Sequence, residues 1–190
     1  MRLVVGLGNP GERYRRTRHN AGFMAVDALL ARSPGARIRE TDSAWSADVT
    51  LGTVEARVAK PLTFMNRSGV AVARLLDEAA LQPADLVVIV DDVALDLGTL
   101  RVRERGGHGG HNGLRSVIDV LGTEEFPRVR IGVKRGDPPD DLAEYVLSEF
   151  PSDEVLIVQE AVGSAADAAA CLLREGAAVA MNRYNTRPPA

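Results

Sequence analysis

Residues 86–92 read LVVIVDD, a run of five apolar side chains followed at once by two aspartates. A continuous apolar run of this length is typical of a strand that is covered on both faces of a sheet. We therefore expect this strand to lie in the interior of a sheet. Chemistry is commonly placed beyond the carboxyl ends of such strands, so the two aspartates mark a candidate site.

Strand and helix patterns alternate on both sides of this run. The alternation of apolar residues over 45–51 and 54–58 predicts a β-hairpin that turns at Gly52-Thr53. Asn20 and Asn112 are expected to cap helices, and Gly122 to end one. The predicted strands are 2–7, 45–51, 54–58, 86–90, 100–102 and 129–133, and the predicted helices are 20–30, 68–81, 112–121 and 152–179.

Strands that alternate with helices predict an α/β fold, in which a twisted mixed β-sheet is surrounded by helices in three layers. The chain has 190 residues, 45% hydrophobic and 26% charged, which is the composition of one globular domain with a sizeable core. We expect residues 1–185 to form this single domain and residues 186–190 to be a flexible tail. Residues 134–141 are expected to form a mobile loop.

Composition also indicates a compartment. The single cysteine, Cys171, cannot form an internal disulfide and fits a reducing environment. The N-terminal residues lack the apolar region of a signal peptide, and no apolar run reaches the roughly 20 residues of a membrane helix. We therefore expect a cytoplasmic protein without a membrane segment.

The charge is unevenly distributed along the chain. The net charge is −3, but residues 1–39 carry +6 and residues 97–135 carry +4, whereas residues 40–96 carry −6 and residues 136–190 carry −7. The two basic blocks contain His19 and the glycine-rich residues 106–113. A basic face around a site would attract a phosphate-rich substrate despite the acidic total, although scattered solvated arginines are an equally good explanation on charge alone.

Four polar clusters fall where a strand or helix is predicted to end, and we expect folding to bring them together. Their side chains include the asparagines Asn9, Asn66 and Asn112, with few histidines and an acid, but no evident serine or cysteine nucleophile. This set indicates hydrolysis by an activated water molecule, in a pocket of neutral amides. The clusters are 6–11 with 17–20, 60–66, 91–92 and 106–113.

His19 is the candidate general base. It is flanked by Arg18 and Asn20 just after a turn, which predicts an exposed and reactive side chain. Asp91 follows the most apolar strand; if it contacts His19, it fixes the tautomer and stabilises the imidazolium that forms on proton uptake. The pair would then activate water.

Two other site types fit the sequence less well. Residues 6–11, GLGNPG, match the glycine spacing of a dinucleotide-binding loop, but Pro10 and a polar stretch follow where that motif needs a helix. His108 and His111 lie three residues apart among glycines, without the helical spacing of common zinc motifs, so we expect no metal.

The chain resembles the bacterial peptidyl-tRNA hydrolases over nearly its whole length. The matching residues occur in the same order as in that family, and their number makes chance agreement improbable. They are GLGNPG at 6–11, Tyr14, TRHNAG at 17–22, KP at 60–61, TFMN at 63–66 with Ser68-Gly69, GGHGGHNGL at 106–114, RIG at 130–132 and MNRYN at 181–185.

This resemblance implies an enzyme that cleaves the ester between a peptide and the 3′ ribose of tRNA, without metal or other cofactor and as a monomer. Peptidyl-tRNA is the implied partner, with stalled large ribosomal subunits as a further one. His19 matches the family's catalytic base, Asp91 its supporting carboxylate and Asn9 the residue that selects N-blocked substrates. The matching tRNA- or peptide-binding positions are Tyr14, Phe64, Met65, Asn66 and Asn112, and Arg103 and Arg130 match basic residues that grip tRNA phosphates.

One segment departs from the family. Its usual second acid is replaced or shifted in residues 91–98, DDVALDLG, which makes the choice of Asp91 over Asp92 depend on the spacing to Asn112. Two other functions stay open from sequence: a non-catalytic RNA-binding relative, as known in plant organelles, and a metal-dependent esterase. Retention of His19, Asp91 and the three asparagines favours the hydrolase.

Overall fold

The structure, a computed structural model, describes residues 1–137 and 140–185. The predicted tail at 186–190 and part of the predicted loop at 134–141 lie outside these residues. The strands are β1 (Arg2–Gly6), β2 (Arg37–Glu40), β3 (Ala44–Leu51), β4 (Val54–Pro61), β5 (Leu86–Asp96), β6 (Leu100–Arg103) and β7 (Arg128–Lys134), and the helices are α1 (Ala21–Ala31), α2 (Ser68–Glu78), α3 (Asn112–Leu121), α4 (Leu142–Leu147), α5 (Val155–Glu175) and α6 (Ala177–Tyr184).

The strands form one mixed sheet in the order β2-β3-β4-β1-β5-β7-β6. β1 runs parallel to β4 and β5, and β5 runs parallel to β7, whereas the outer strands pair antiparallel. The sequence prediction that β5 lies inside the sheet is confirmed. The carboxyl ends of the parallel neighbours β4, β1, β5 and β7 meet at one edge of the sheet. The polar clusters at 6–11 and 60–66 follow β1 and β4 there, and Asp91-Asp92 lie within β5, whereas the cluster at 106–113 follows the antiparallel β6.

A hydrophobic core lies on each face of the sheet. On one face, α1, α5 and α6 cover side chains such as Val87, Ile89 and Val129, which are at most 2% exposed. On the other face, α2 and α3 cover Val88 and Val90. These two layers of helices around the sheet confirm the predicted three-layer α/β fold.

Several boundaries differ from the sequence prediction. β5 extends to Asp96 rather than ending at Val90, because the chain continues to pair with β7 after a register shift between Asp92 and Asp96. The fully exposed strand β2 and the short helix α4 lack the apolar pattern of buried elements and were not predicted. The β3–β4 hairpin and the edge strand β6 were predicted correctly.

The predicted helix caps are partly wrong. Asn20 precedes α1 but makes no side-chain cap, and its amide binds the main chain of Asn9 instead. His111, rather than Asn112, caps α3, with Nδ1 accepting from Leu114 N–H. Gly122 ends α3 with φ 66°, the left-handed conformation that glycine favours, as predicted.

Among the described residues, one helix is long and apolar enough to cross a membrane by length and composition alone. This helix is α5, with 21 residues, so the prediction that no segment approaches membrane length was wrong. Its small side chains, including Ala165, Ala166 and Ala169, are fully buried in the core shared with α1. A core helix of a globular domain meets the same length and composition test.

Candidate active site

Two glycines let α1 dock closely on the strand ends. Gly6 ends β1 and Gly22 lies in the first turn of α1. A Cβ atom at Gly6 would collide with the main chain of Gly22, and one at Gly22 with the main chain of Ile89 in β5 and of Leu7. The 3-10 turn Arg18–Asn20 directly precedes α1. Close docking therefore holds His19, within this turn, against the carboxyl end of β5.

His19, Asp91 and His111 form a buried hydrogen-bonded centre. Asp91 Oδ1 lies 2.8 Å from His19 Nδ1 and 3.1 Å from His111 Nε2. The contact expected between His19 and Asp91 is thus present. His19 is only 8% exposed, so the prediction of an exposed side chain was wrong. Its neighbours Arg18 and Asn20 are also buried, and each donates a hydrogen bond to a main-chain carbonyl inside the protein.

The hydrogen-bond partners assign the tautomers of both imidazoles. Leu114 N–H donates to His111 Nδ1 at 3.1 Å, so Nδ1 carries no proton and His111 Nε2–H donates to Asp91. Asp91 can only accept when ionised, so His19 also presents a protonated Nδ1. His19 Nε2 is therefore left as a basic nitrogen.

Asp91 is held in its ionised form. Burial raises the pKa of its carboxyl, but the electrostatic attraction of the His111 and His19 imidazoles for a carboxylate and the hydrogen bonds from both rings outweigh burial and hold that pKa well below its usual range. A carboxylate ionised at this position stabilises the imidazolium that forms when His19 accepts a proton.

Hydrogen bonds fix both the main chain and the side chain of Asn9. Its main-chain N–H and C=O bind the amide of Asn20 at 2.8 and 3.0 Å, and its Oδ1 accepts from Met65 N–H at 2.9 Å. The Met65 contact requires an oxygen, which orients the side-chain amide. Within the described residues, Asn9 Nδ2 donates to no other group, so it is a donor that a bound substrate can use.

The three asparagines do not line one pocket. Asn112 lines a cavity with His19 and Asp91, whereas Asn9 lines a separate and larger one. Asn66 is exposed in the 3-10 turn Met65–Arg67, which packs against α3. The predicted single amide pocket is therefore divided between two cavities and the surface beside them.

The apolar and aromatic site candidates also separate. Phe64 is 56% exposed, directly before the turn that holds Asn66. Met65 is 5% exposed and packs against Gly113 in the core, so the structure does not place its side chain on a binding surface; its contribution is the main-chain contact to Asn9. Tyr14 is half-buried in a 3-10 turn, with the Arg13 guanidinium 4.4 Å from its ring centroid.

The two predicted phosphate-binding arginines have different surroundings. Arg103 is exposed on the edge strand β6, in line with the exposed Arg101. Arg130 has its Nε 3.1 Å from Asp92 Oδ2, with 18% of its side chain exposed. Arg130 is thus engaged inside the protein, and of the two only Arg103 is free for a phosphate to approach. Asp92 faces Arg130, which leaves Asp91 as the acid that contacts His19.

A buried ion pair anchors the turn that carries His19. Arg18 Nη1 lies 2.7 Å from Glu154 Oε2 and donates to Val133 C=O at 3.1 Å. The guanidinium lies between the rings of Tyr145 and Phe150, 4.4 and 4.8 Å from their centroids. These contacts join the turn that carries His19 to α4 and to the residues before α5.

Two cavities lie beside the centre formed by His19, Asp91 and His111. The smaller, about 220 Å³, is lined by His19, Asp91 and the main chain of Gly109-Gly110, with Leu142 and Val146 of α4 on its wall. The larger, about 590 Å³, lies between the loop after β1, α1 and the adjoining ends of β3 and β4.

A metal ion would find three ligands in the centre, His19, Asp91 and His111, whose ligand atoms lie within 4.8 Å of one another. Two ligands about 2.0–2.2 Å from a tetrahedral zinc lie roughly 3.3 Å apart. The nitrogen–oxygen distances of 2.8 and 3.1 Å are shorter and match direct hydrogen bonds. The arrangement fits a hydrogen-bonded acid–base centre better than a zinc site.

Sequence reasoning missed His111 as the second partner of Asp91. The histidine was visible in a glycine-rich loop already expected at the site, but it was considered only as a metal ligand. Helix α4, which covers the smaller cavity, gave no usable signal because it has only six residues.

Comparisons with known proteins relate this fold and site to one enzyme family. The family model described as peptidyl-tRNA hydrolase matches residues 3–190. The peptidyl-tRNA hydrolase of Brevibacillus brevis is 46% identical over 189 residues, covering 98% of each chain, and that of Chloroflexus aurantiacus is 47% identical, covering 97% of this chain and 99% of the relative. The crystal structure of peptidyl-tRNA hydrolase from Acinetobacter baumannii gives a TM-score of 0.90 at 32% identity, covering 100% of this chain and 97% of that one.

Proposed function

Because this chain belongs to the peptidyl-tRNA hydrolase family, it hydrolyses the ester bond of peptidyl-tRNA, and we propose that His19 activates the attacking water. The observation that carries this proposal is the 2.8 Å contact between His19 Nδ1 and Asp91 Oδ1. It leaves Nε2 as the base and keeps a carboxylate beside the ring that becomes charged.

In the proposed reaction, His19 Nε2 takes a proton from water as the oxygen attacks the ester carbonyl carbon. The tetrahedral intermediate then breaks the bond to the 3′ oxygen of the ribose, and His19 returns the proton to that oxygen. Asp91 stays ionised throughout and balances the imidazolium charge, while His111 donates to the same Oδ1 and holds the carboxylate in place.

Asn9 is proposed to select N-blocked substrates. Its oxygen is occupied by Met65 N–H, so it offers Nδ2–H as a donor. The carbonyl of an N-acyl group can accept this hydrogen bond. A free α-ammonium group carries only donors and loses hydration beside Nδ2 without gaining a partner.

The tRNA is proposed to contact the surface around the centre. The exposed Arg103 is the phosphate contact favoured by its surroundings, and the half-exposed Tyr14, with Phe64 and Asn66, offers stacking and polar surface near the tRNA end. Asn112 is proposed to contact the acyl part, since it lines the smaller cavity with His19. Arg130 would reach a phosphate only by leaving Asp92, so we assign it a supporting role.

We also propose that the protein acts in the cytoplasm as a monomer, on peptidyl-tRNA released by ribosomes or held on stalled large subunits, and so recycles tRNA. The single, buried Cys171 supports a reducing compartment. Native mass spectrometry and sedimentation with large ribosomal subunits would test the monomer and the ribosomal contact.

One assay separates the proposed mechanism from its alternatives. Purified protein is incubated with N-acetyl-aminoacyl-tRNA, with and without a chelator, and ester cleavage is followed. We expect cleavage that the chelator does not change. Absence of cleavage would favour a non-catalytic RNA-binding relative, and loss of cleavage with chelator would favour a metal-dependent esterase.

A further inference from the structure

A buried ion pair beside the proposed base takes no part in the reaction described above. Arg18 precedes His19 in the same 3-10 turn, and its Nη1 lies 2.7 Å from Glu154 Oε2, with 5% and 3% of the two side chains exposed. Removing both charges from water costs free energy, and an apolar pair of similar size is often at least as stable at such a position. The ion pair therefore points to a purpose other than stability.

The side chain of Arg18 ties its turn to the sheet. Arg18 Nη1 donates to the main-chain carbonyl of Val133 at 3.1 Å. Val133 lies in β7, two residues after Ile131, which is the register partner of Asp91 in β5. The same strand thus supports the carboxylate that contacts His19 and the turn that carries His19. Arg18 thereby helps to fix the position of the imidazole relative to that carboxylate.

The Arg18 guanidinium also contacts the short helix α4. Its central carbon lies 4.4 Å from the ring centroid of Tyr145 in α4 and 4.8 Å from that of Phe150. The Tyr145 hydroxyl donates to the Val133 carbonyl at 2.9 Å, so α4 and Arg18 share one acceptor. Other side chains of α4 line the cavity that contains His19. A planar cation suits this place, because its faces stack on aromatic rings while its edge binds a carboxylate and a carbonyl.

Main-chain hydrogen bonds tie the turn to a neighbouring loop. Arg18 N–H donates to Ser148 C=O at 3.0 Å, and Phe150 N–H donates to Arg16 C=O at 3.3 Å. Ser148 and Phe150 lie between α4 and α5, outside the sheet. The side chain of Arg18 adds the link to β7 that these two bonds do not provide.

We propose that Arg18 is a positioning residue, which together with Glu154 holds His19 at hydrogen-bonding distance from Asp91. This inference rests on the proposed function, because it concerns the residue proposed as the base. Glu154 orients the guanidinium, while the Val133 carbonyl and the two aromatic rings hold it in place. Neither Arg18 nor Glu154 lines the cavity that contains His19, so the pair acts on the substrate only through the base.

Three variants separate positioning from stability. Arg18→Met leaves Glu154 buried, with the half-exposed Arg135 at 3.7 Å as its remaining ion-pair partner among the described residues, and should lower Tm by an amount on the order of 10 °C. Arg18→Met combined with Glu154→Met removes both charges without changing the net charge, so most of the lost Tm should return. Arg57→Met is the matched control, since it removes a mostly buried arginine from its pair with Asp48, outside the site.

The first readout is steady-state hydrolysis of N-acetyl-aminoacyl-tRNA. We expect Arg18→Met and the double variant to lower kcat by roughly tenfold to a hundredfold, the scale for a small displacement of a reacting group. KM should change little, because the proposed tRNA contacts are left in place. Arg57→Met should keep both constants even if its Tm falls. The double variant is decisive, because a purely stabilising pair would give wild-type kcat once Tm is restored.

The second readout needs no substrate. The chain has three histidines, so the imidazole signals of His19, His108 and His111 can be resolved and assigned by NMR. The signal of the His19 Nδ1 proton depends on its hydrogen bond to Asp91 Oδ1, in which the heavy atoms lie 2.8 Å apart. We expect this signal to shift in the double variant and to keep its position in Arg57→Met. The His108 signals should be unchanged in both variants.

The outcomes distinguish this inference from the proposed function. Wild-type kcat in the folded double variant, or an unchanged His19 signal, would overturn the positioning role. If the double variant does not fold, Arg18→Lys replaces it, because lysine keeps the charge opposite Glu154 but lacks the planar fork; wild-type kcat or an unchanged His19 signal in that variant would overturn the role in the same way. If the wild-type protein does not cleave N-acetyl-aminoacyl-tRNA, the proposed function fails, whereas the NMR comparison still tests whether Arg18 holds His19 in place.

Discussion

The proposed catalytic centre and the arginine-bearing surface hold their polar groups in opposite ways. In the centre, His19, Asp91 and His111 are each at most 8% exposed, and Asp91 receives hydrogen bonds from both rings. On the surface, Arg103 extends into solvent, and the pair formed by Arg15 and Glu12 spans 3.5 Å with both side chains more than 70% exposed.

This difference in burial predicts a difference in what each region controls. Exposed charge pairs contribute roughly 0–1 kcal/mol to stability and are screened by salt. Removing one partner of a buried pair leaves the charge of the other partner buried and unpaired. Changes in the centre should therefore lower turnover on every substrate. Changes on the surface should weaken binding of long tRNA substrates and little else.

The largest effect is expected from His19→Ala, which removes the base. General base catalysis contributes roughly a hundredfold to ten-thousandfold, so kcat should fall on that scale. Binding of deacylated tRNA, measured by filter retention, should stay unchanged. A variant that keeps most of its turnover would mean that another group activates the water.

Asp91→Asn should reduce kcat less than His19→Ala, because the amide no longer stabilises the imidazolium but the base itself remains. Asp92→Asn is the matched control, since Asp92 faces Arg130 and not His19. It should lower kcat less than Asp91→Asn, because it alters the contact to Arg130 and leaves the partner of His19 in place. A steady-state assay in which Asp92→Asn lowers kcat more than Asp91→Asn would contradict the assignment of Asp91 as the partner of His19.

Substitutions at Asn9 test the proposed selectivity for N-blocked substrates. Asn9→Asp keeps the oxygen that accepts from Met65 N–H but replaces the donor Nδ2 with a negatively charged acceptor. The preference for N-acetyl-aminoacyl-tRNA over free aminoacyl-tRNA should fall by about tenfold or more, since hydrogen bonds to charged groups are worth roughly 1.5–3 kcal/mol. Asn9→Ala should also lower the preference for N-acetyl-aminoacyl-tRNA over free aminoacyl-tRNA. An unchanged ratio of kcat/KM in both variants would place the discrimination on Asn66 or Asn112.

Arg103→Ala should act on binding alone. Loss of one phosphate contact should raise KM for full-length substrate and lower the slope of affinity against salt concentration by about one contact. Arg130→Ala should instead disturb the pocket, because Arg130 is paired with Asp92 and lines the smaller cavity. An equal rise in KM for a short ester and for the full-length substrate in Arg103→Ala would contradict the role of Arg103 as a phosphate contact.

The smallest effect concerns acid stability. The pKa of Asp91 in the folded protein is held below its unfolded value, so the ionised form stabilises the fold above roughly pH 4, and this stabilisation is lost as pH falls through the folded pKa. Asp91→Asn should therefore flatten the pH dependence of the unfolding free energy below about pH 4. Denaturant titrations of both proteins at several pH values test this prediction. The unfolding free energy of the wild type should fall more steeply with decreasing pH than that of Asp91→Asn, and equal slopes would contradict the prediction.

The sequence was most informative where local pattern and burial agree. The apolar run before Asp91 predicted an interior strand, and alternation predicted the β3–β4 hairpin, because in both cases side-chain periodicity reflects one buried environment. The exposed β2 and the short α4 carry no such pattern. The extension of β5 to Asp96 depends on pairing with β7, which is a tertiary contact.

Within the site, residue types could be predicted but their partners could not. Asn20 has the chemistry of a helix cap, yet its amide binds the Asn9 main chain, because a partner outside the helix was available. The cap of α3 was predicted one residue too late, since the neighbouring His111 accepts from Leu114 N–H. His19 lies among polar residues but is buried, since Arg18 finds Glu154 inside the protein. Sequence spacing contains no information about such long-range pairs.

The most direct test compares full-length N-acetyl-aminoacyl-tRNA with an N-acetyl-aminoacyl ester of CCA, using wild type, His19→Ala and Arg103→Ala side by side. We expect His19→Ala to lower kcat by the same large factor on both substrates, and Arg103→Ala to raise KM only for the full-length tRNA substrate. A loss in His19→Ala confined to the full-length substrate would contradict it, because the buried centre would then serve tRNA binding and not water activation.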